Sequence, residues 1–129
     1  MDVEQVDPGI LDLVERFTLP VERWALASSR DQTLMATLLW SLKEAAIKCL
    51  GGIVVRRRLF EVHLEPKRTR ACIMLHDPLL SERWGPMLEG GFQIRGRHVL
   101  AWVSTPAREV SVVEVFPARS WEEVDNGDG

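Results

Sequence analysis

Trp40-Ser41-Leu42-Lys43-Glu44-Ala45-Ala46-Ile47-Lys48 lies inside the run from Asp31 to Leu50, and its periodicity decides how the chain is read. At about 100° per residue, Met35, Leu38, Leu39, Leu42, Ala46 and Cys49 gather on one apolar face of a helix. Trp40, Glu44 and Lys48, spaced i, i+4, i+8, line the opposite face. A Glu four residues before a Lys is by itself an ordinary solvated pair, adding about 0.2–0.5 kcal/mol. Trp40 gives the strip more weight, because an indole pointing away from the core covers a neighbouring element, a partner or a ligand.

Outward from this helix, Asp31 reads as its N-cap and Gly51-Gly52 as its stop. Upstream, residues 2–6 suit a short strand. Asp7-Pro8 then opens a helix through Phe17, with Asp as cap and Pro at the first helical position. Pro20 restarts the helix, giving a second short one over Leu19 to Ala27. Downstream, β-branched and alternating residues predict strands over Ile53 to Glu65, Arg70 to Leu75, Phe92 to Ser104 with a turn near Gly96, and Glu109 to Phe116. Pro78 and the segment Ser81 to Leu88 read as a short helix or loop, and Gly90-Gly91 as a turn. The fold class is therefore α+β, an antiparallel sheet packed on a long amphipathic helix. Residues 1–121 form one domain, and the acidic, Gly-rich residues 122–129 are expected to be a frayed tail.

Composition narrows the function classes. With 129 residues, 46% of them hydrophobic and 27% charged, the chain can bury a single core without disulfides or structural metal. A formal net charge of −3 argues against a general nucleic-acid binder. No apolar run approaches the roughly 18 residues of a membrane span, and the acidic start Met1-Asp2-Val3-Glu4 is no signal peptide. Cys49 and Cys72 are expected to be buried reduced thiols, which points to a cytoplasmic location. His63, His76 and His98 share no ligand spacing with either cysteine. Ser28, Ser29 and Ser41 lack a His-Asp arrangement. Arg56-Arg57-Arg58 is expected on a strand, as solvated surface or as a landing site for an acidic protein or for a phosphate group of a ligand.

The N-terminal carboxylates add a second cluster. If Asp2-Val3-Glu4 is extended, the period of two puts Asp2 and Glu4 on one face. Side-by-side carboxylates are tolerated where solvent screens them or a cation sits between them. Hard oxygens of this kind suit Mg²⁺, which typically takes one or two carboxylates plus substrate phosphate and water. Glu44 is a candidate third oxygen.

Asp2-Val3-Glu4, then Phe17-Thr18-Leu19-Pro20-Val21-Glu22-Arg23, then Trp40-Ser41-Leu42-Lys43-Glu44-Ala45-Ala46-Ile47-Lys48, taken in this order, resemble the 4'-phosphopantetheinyl transferase superfamily. That family carries the signatures Gly-x-Asp-x-Glu and Trp-x-x-Lys-Glu-Ala-x-x-Lys. The second is matched in full; the first is matched from its Asp onward, with Met1 at the x position. The likeness covers residues 2–65 best. Beyond them Glu82-Arg83-Trp84 and Arg97 to Ser104 look like the closing sheet of the larger, surfactin-type members.

The resemblance implies a phosphopantetheinyl transferase-like half, similar to the second half of the surfactin-type members and close in size to the acyl-carrier-protein synthase type. It implies that Asp2, Glu4 and Glu44 hold Mg²⁺ against the pyrophosphate of coenzyme A, that Lys43 and Lys48 face phosphate oxygens, and that Trp40 walls the site. Glu44 and Lys48 would be the catalytic pair in moving 4'-phosphopantetheine from coenzyme A to a serine of an acyl or peptidyl carrier protein. The cleft would be completed by a second copy of the chain or a separate partner half. The alternative is a catalytically weak or inactive half-domain that binds coenzyme A, carrier protein or another protein.

Overall fold

The computed structural model describes residues 8–51, 56–95, 98–105 and 110–115. A 3-10 turn over Pro8–Leu13 runs into the short helix α1, Val14–Phe17. Helix α2 is Pro20–Ala27 and α3 is Gln32–Cys49. The first helix expected from the sequence is thus mostly 3-10, whereas α2 and α3 fall where the caps place them. The Asp31 carboxylate accepts from Leu34 N–H at 3.0 Å, the N-cap bond that closes the first turn of α3. At its other end Gly51 takes φ +96°, a left-handed conformation that a side chain would strain.

The rest is a meander. Strands β1 (Phe60–Glu65), β2 (Arg70–Leu75), β3 (Met87–Arg95), β4 (His98–Ser104) and β5 (Val110–Val115) form one antiparallel sheet in sequence order. Helix α4, Pro78–Trp84, bridges β2 and β3 and is capped by Asp77. Alternation sends Phe60, Val62, Ala71, Ile73, Leu75, Leu88, Phe92, Val99, Ala101 and Val103 inward, into one core shared with the buried residues of α3. The opposite face, with Arg70, Met74, Met87 and Glu89, is exposed.

Three expectations are corrected. The arginines Arg56 to Arg58 lie in a loop and a 3-10 turn, Arg57–Leu59, because β1 begins only at Phe60. Gly90 and Gly91 are not a turn but the middle of β3, which starts at Met87. A Cβ on Gly91 would run into the Trp102 ring, so the missing side chain is what lets the indole lie across the strand. Nor is α3 amphipathic in the expected sense: it is long, but Ala36, Thr37, Ser41, Lys43 and Ala45 are buried along with the apolar face. Cys49 is buried and Cys72 only half-buried, and neither forms a disulfide. The expected strand at residues 2–6, the Asp7 cap, the turn at Gly96 and the tail 122–129 lie outside the described residues. Among the described residues no helix is long and apolar enough to cross a membrane.

Candidate functional site

The strip of α3 that faces away from the sheet carries Trp40, Glu44 and Lys48, as the periodicity predicts. Trp40 and Glu44 are half-buried and Lys48, one turn further on, is exposed. Trp40 meets the Phe17 ring edge to face at a centroid distance of 5.2 Å, so the end of α1 fixes the base of the indole. The Arg57 guanidinium covers Trp40, 4.0 Å from the ring centroid. From there Arg57 reaches Glu44: Nε donates to Oε1 at 2.8 Å, and Nη2 donates to the same oxygen. Glu44 therefore sits beside a cation, with 19% of its side chain exposed against 34% for Arg57.

Lys43 is elsewhere. Its side chain is fully buried, and Nζ donates to the Phe17 carbonyl and to Glu22 Oε1, each at 2.6 Å. Glu22 is itself 2% exposed. Its Oε1 also accepts from Leu19 N–H at 2.8 Å, and its Oε2 accepts from Val62 N–H at 2.7 Å. One buried carboxylate thus caps α2, pairs one backbone N–H of β1 and neutralises an ammonium on α3. Burial pushes the Lys43 pKa below its ordinary value, against the opposing pull of the Glu22 charge and hydrogen bond. The ammonium expected at phosphate oxygens is enclosed by these partners instead of facing the strip.

A signal for this was in the sequence. Ala36, Leu39, Lys43, Ala46 and Leu50 follow 3,4,3,4 spacing, which places Lys43 inside the buried stripe. Glu22, third residue of a helix opened by Pro20, stands where a carboxylate reaches back to cap its own helix. Arg57 had no comparable signal, since its approach to Glu44 depends on the turn before β1.

A further cluster lies on β1. Glu61 accepts from His76 Nε2 at 2.7 Å through one oxygen and is paired with His63 Nε2 through the other. Burial raises the Glu61 pKa, but the two imidazole hydrogen bonds outweigh it and hold the carboxyl below its usual range. Among the described residues no group of three His, Cys, Asp or Glu is arranged to hold a metal ion. Asp2 and Glu4 lie outside those residues. Glu44 still fits a hard cation as one oxygen ligand, because it is a partly exposed carboxylate with a positive group already against Oε1.

Fold and strip together define an α+β domain that presents an aromatic, a carboxylate and an ammonium in register along one helix. The family model described as the 4'-phosphopantetheinyl transferase superfamily matches residues 1–101, and the chain belongs to that superfamily. Phosphopantetheinyl transfer in general is what the family implies. No curated protein and no solved structure matches the chain.

Proposed function

We propose that the chain is a holo-acyl-carrier-protein synthase-type transferase that moves 4'-phosphopantetheine from coenzyme A to a carrier-protein serine with Mg²⁺. The observation that carries this reading is the alignment of Trp40, Glu44 and Lys48 on the outward strip of α3, in a family member. In this reading Asp2, Glu4 and Glu44 hold the cation. Bound there, Mg²⁺ supplies charge neutralisation at the pyrophosphate.

The chain's own groups then have distinct tasks. Lys48 faces phosphate oxygens and offsets the charge that builds during transfer. Trp40, braced by Phe17, walls the cleft against water. Glu44 takes the serine proton as Oγ attacks the β-phosphorus; the bridging P–O bond breaks and adenosine 3',5'-bisphosphate leaves. Lys43 contributes by holding α3 to α1 and α2, not by touching phosphate. A second copy or a separate partner half completes the cleft.

Mass spectrometry of a carrier protein incubated with the chain, coenzyme A and Mg²⁺ tests this. The parent should load the serine, and Glu44→Gln should lower the rate by about 100-fold or more, the range of a lost proton acceptor. Lys48→Ala should also slow it. No loading across several acyl and peptidyl carrier proteins, with coenzyme A still bound, would leave the binding-module alternative.

A further inference from the structure

The clasp on Glu44 has a geometry that a plain structural ion pair does not need. Both Arg57 donors fall on one oxygen, Oε1, so the second carboxylate oxygen stands outside the pair. The guanidinium plane is held by Trp40 rather than by the carboxylate alone. With a third of its side chain in water, Arg57 forms a partly solvated pair with Glu44, the kind whose net worth is small enough for a more highly charged cation to compete with it. It also sits in a short 3-10 turn, one turn before β1, where a side-chain rotation disturbs no strand pairing.

The geometry points to Arg57 as a built-in counter-cation: it occupies Glu44 until a divalent cation displaces it, and then, still stacked on Trp40, presents its guanidinium to the phosphates of the incoming co-substrate. This rests on Glu44 being a metal ligand. It assigns Arg57 two opposed effects, competition with the metal and support of the anion, and makes it a positioning residue that regulates the order of loading. A guanidinium suits both tasks, since its planar fork matches carboxylate and phosphate alike and it stacks on indole while doing so. Simple bracing of Trp40 would give no such opposition.

Titration of Mn²⁺ alone into the full chain, followed by electron paramagnetic resonance, tests the first effect; calorimetry of coenzyme A with saturating Mn²⁺ tests the second. Arg57→Gln should bind Mn²⁺ about two- to fivefold more tightly, the range set by a partly exposed pair. The same variant should bind coenzyme A more weakly than the parent. Arg57→Lys keeps the charge and should return Mn²⁺ affinity toward the parent value. Melting temperatures near the parent value would show that both variants fold. Mn²⁺ affinity unchanged or weakened in Arg57→Gln would overturn the counter-cation role, while loss of Mn²⁺ binding in Glu44→Gln would still support Glu44 as the ligand. Mn²⁺ binding that persists undiminished in the Arg57→Gln, Glu44→Gln double variant would overturn the ligand assignment itself. Absence of Mn²⁺ binding in every variant would overturn both.

Discussion

Two adjacent residues of α3, Lys43 and Glu44, stand about 100° apart around the helix and do different work. Lys43 is an internal tie whose loss leaves the Glu22 carboxylate buried without its cation. Breaking such a pair from one side typically costs about 3–5 kcal/mol, so Lys43→Met should lower the melting temperature sharply. Lys43→Met with Glu22→Gln should recover part of it, because no lone charge stays buried and the amide oxygen still accepts from one of the two backbone N–H groups, while the amide nitrogen cannot accept from the other. Thermal melts decide it, and equal losses in the single and double variants would count against the pairing. Glu61 gives a pH signature. Its folded pKa lies below the ordinary carboxylate value, so its stabilisation is present above about pH 4.3 and is lost as pH falls through the lowered value. Glu61→Gln should lower stability at neutral pH by removing that contribution, leave strongly acidic stability nearly unchanged, and so flatten the acid limb of the stability curve, read by denaturation between neutral and strongly acidic pH. Of these residues the strip Trp40, Glu44, Lys48 was legible from a 100° plot. Lys43 belongs both to the signature and to the buried stripe, and the signature alone does not show that its ammonium is enclosed by Glu22; the Arg57 contact depends on tertiary structure that periodicity does not encode.

Elements were legible in proportion to their local chemistry. Asp31 and Gly51 bound α3 because a side-chain oxygen and a left-handed glycine are local devices, and β2 was bounded by its own alternation. The start of β3 was missed because Gly90-Gly91 reads as a turn in isolation; only the Trp102 ring on the neighbouring strand explains why glycines lie mid-strand. The two glycines should respond differently to alanine. At Gly90 the new Cβ would stand 2.6 Å from the Trp102 carbonyl oxygen, which can move only with β4, whereas at Gly91 it meets the indole, which can rotate. Gly90→Ala should therefore cost about 1–3 kcal/mol by chemical denaturation. Gly91→Ala should cost less but change Trp102 fluorescence. The reverse order would contradict the assigned register.

At the scale of the whole molecule, a meander sheet lays one face on α3 and leaves the other exposed, so the chemistry-bearing strip of the helix emerges beside α1 and the turn before β1. The α+β class followed from helical residues giving way to alternating ones after Gly51, and the family from two signatures; the burial of α3 around most of its circumference did not follow, because it depends on α1 and α2 packing over its polar side. The central claim is that Glu44, not its neighbour Lys43, meets the charged ligands. Calorimetry of coenzyme A binding with and without Mn²⁺, on the parent and on Glu44→Ala, tests it most directly. Mn²⁺ should strengthen coenzyme A binding to the parent by about tenfold or more, and that increment should vanish in Glu44→Ala at an unchanged melting temperature. An increment of the same size in Glu44→Ala would contradict the account.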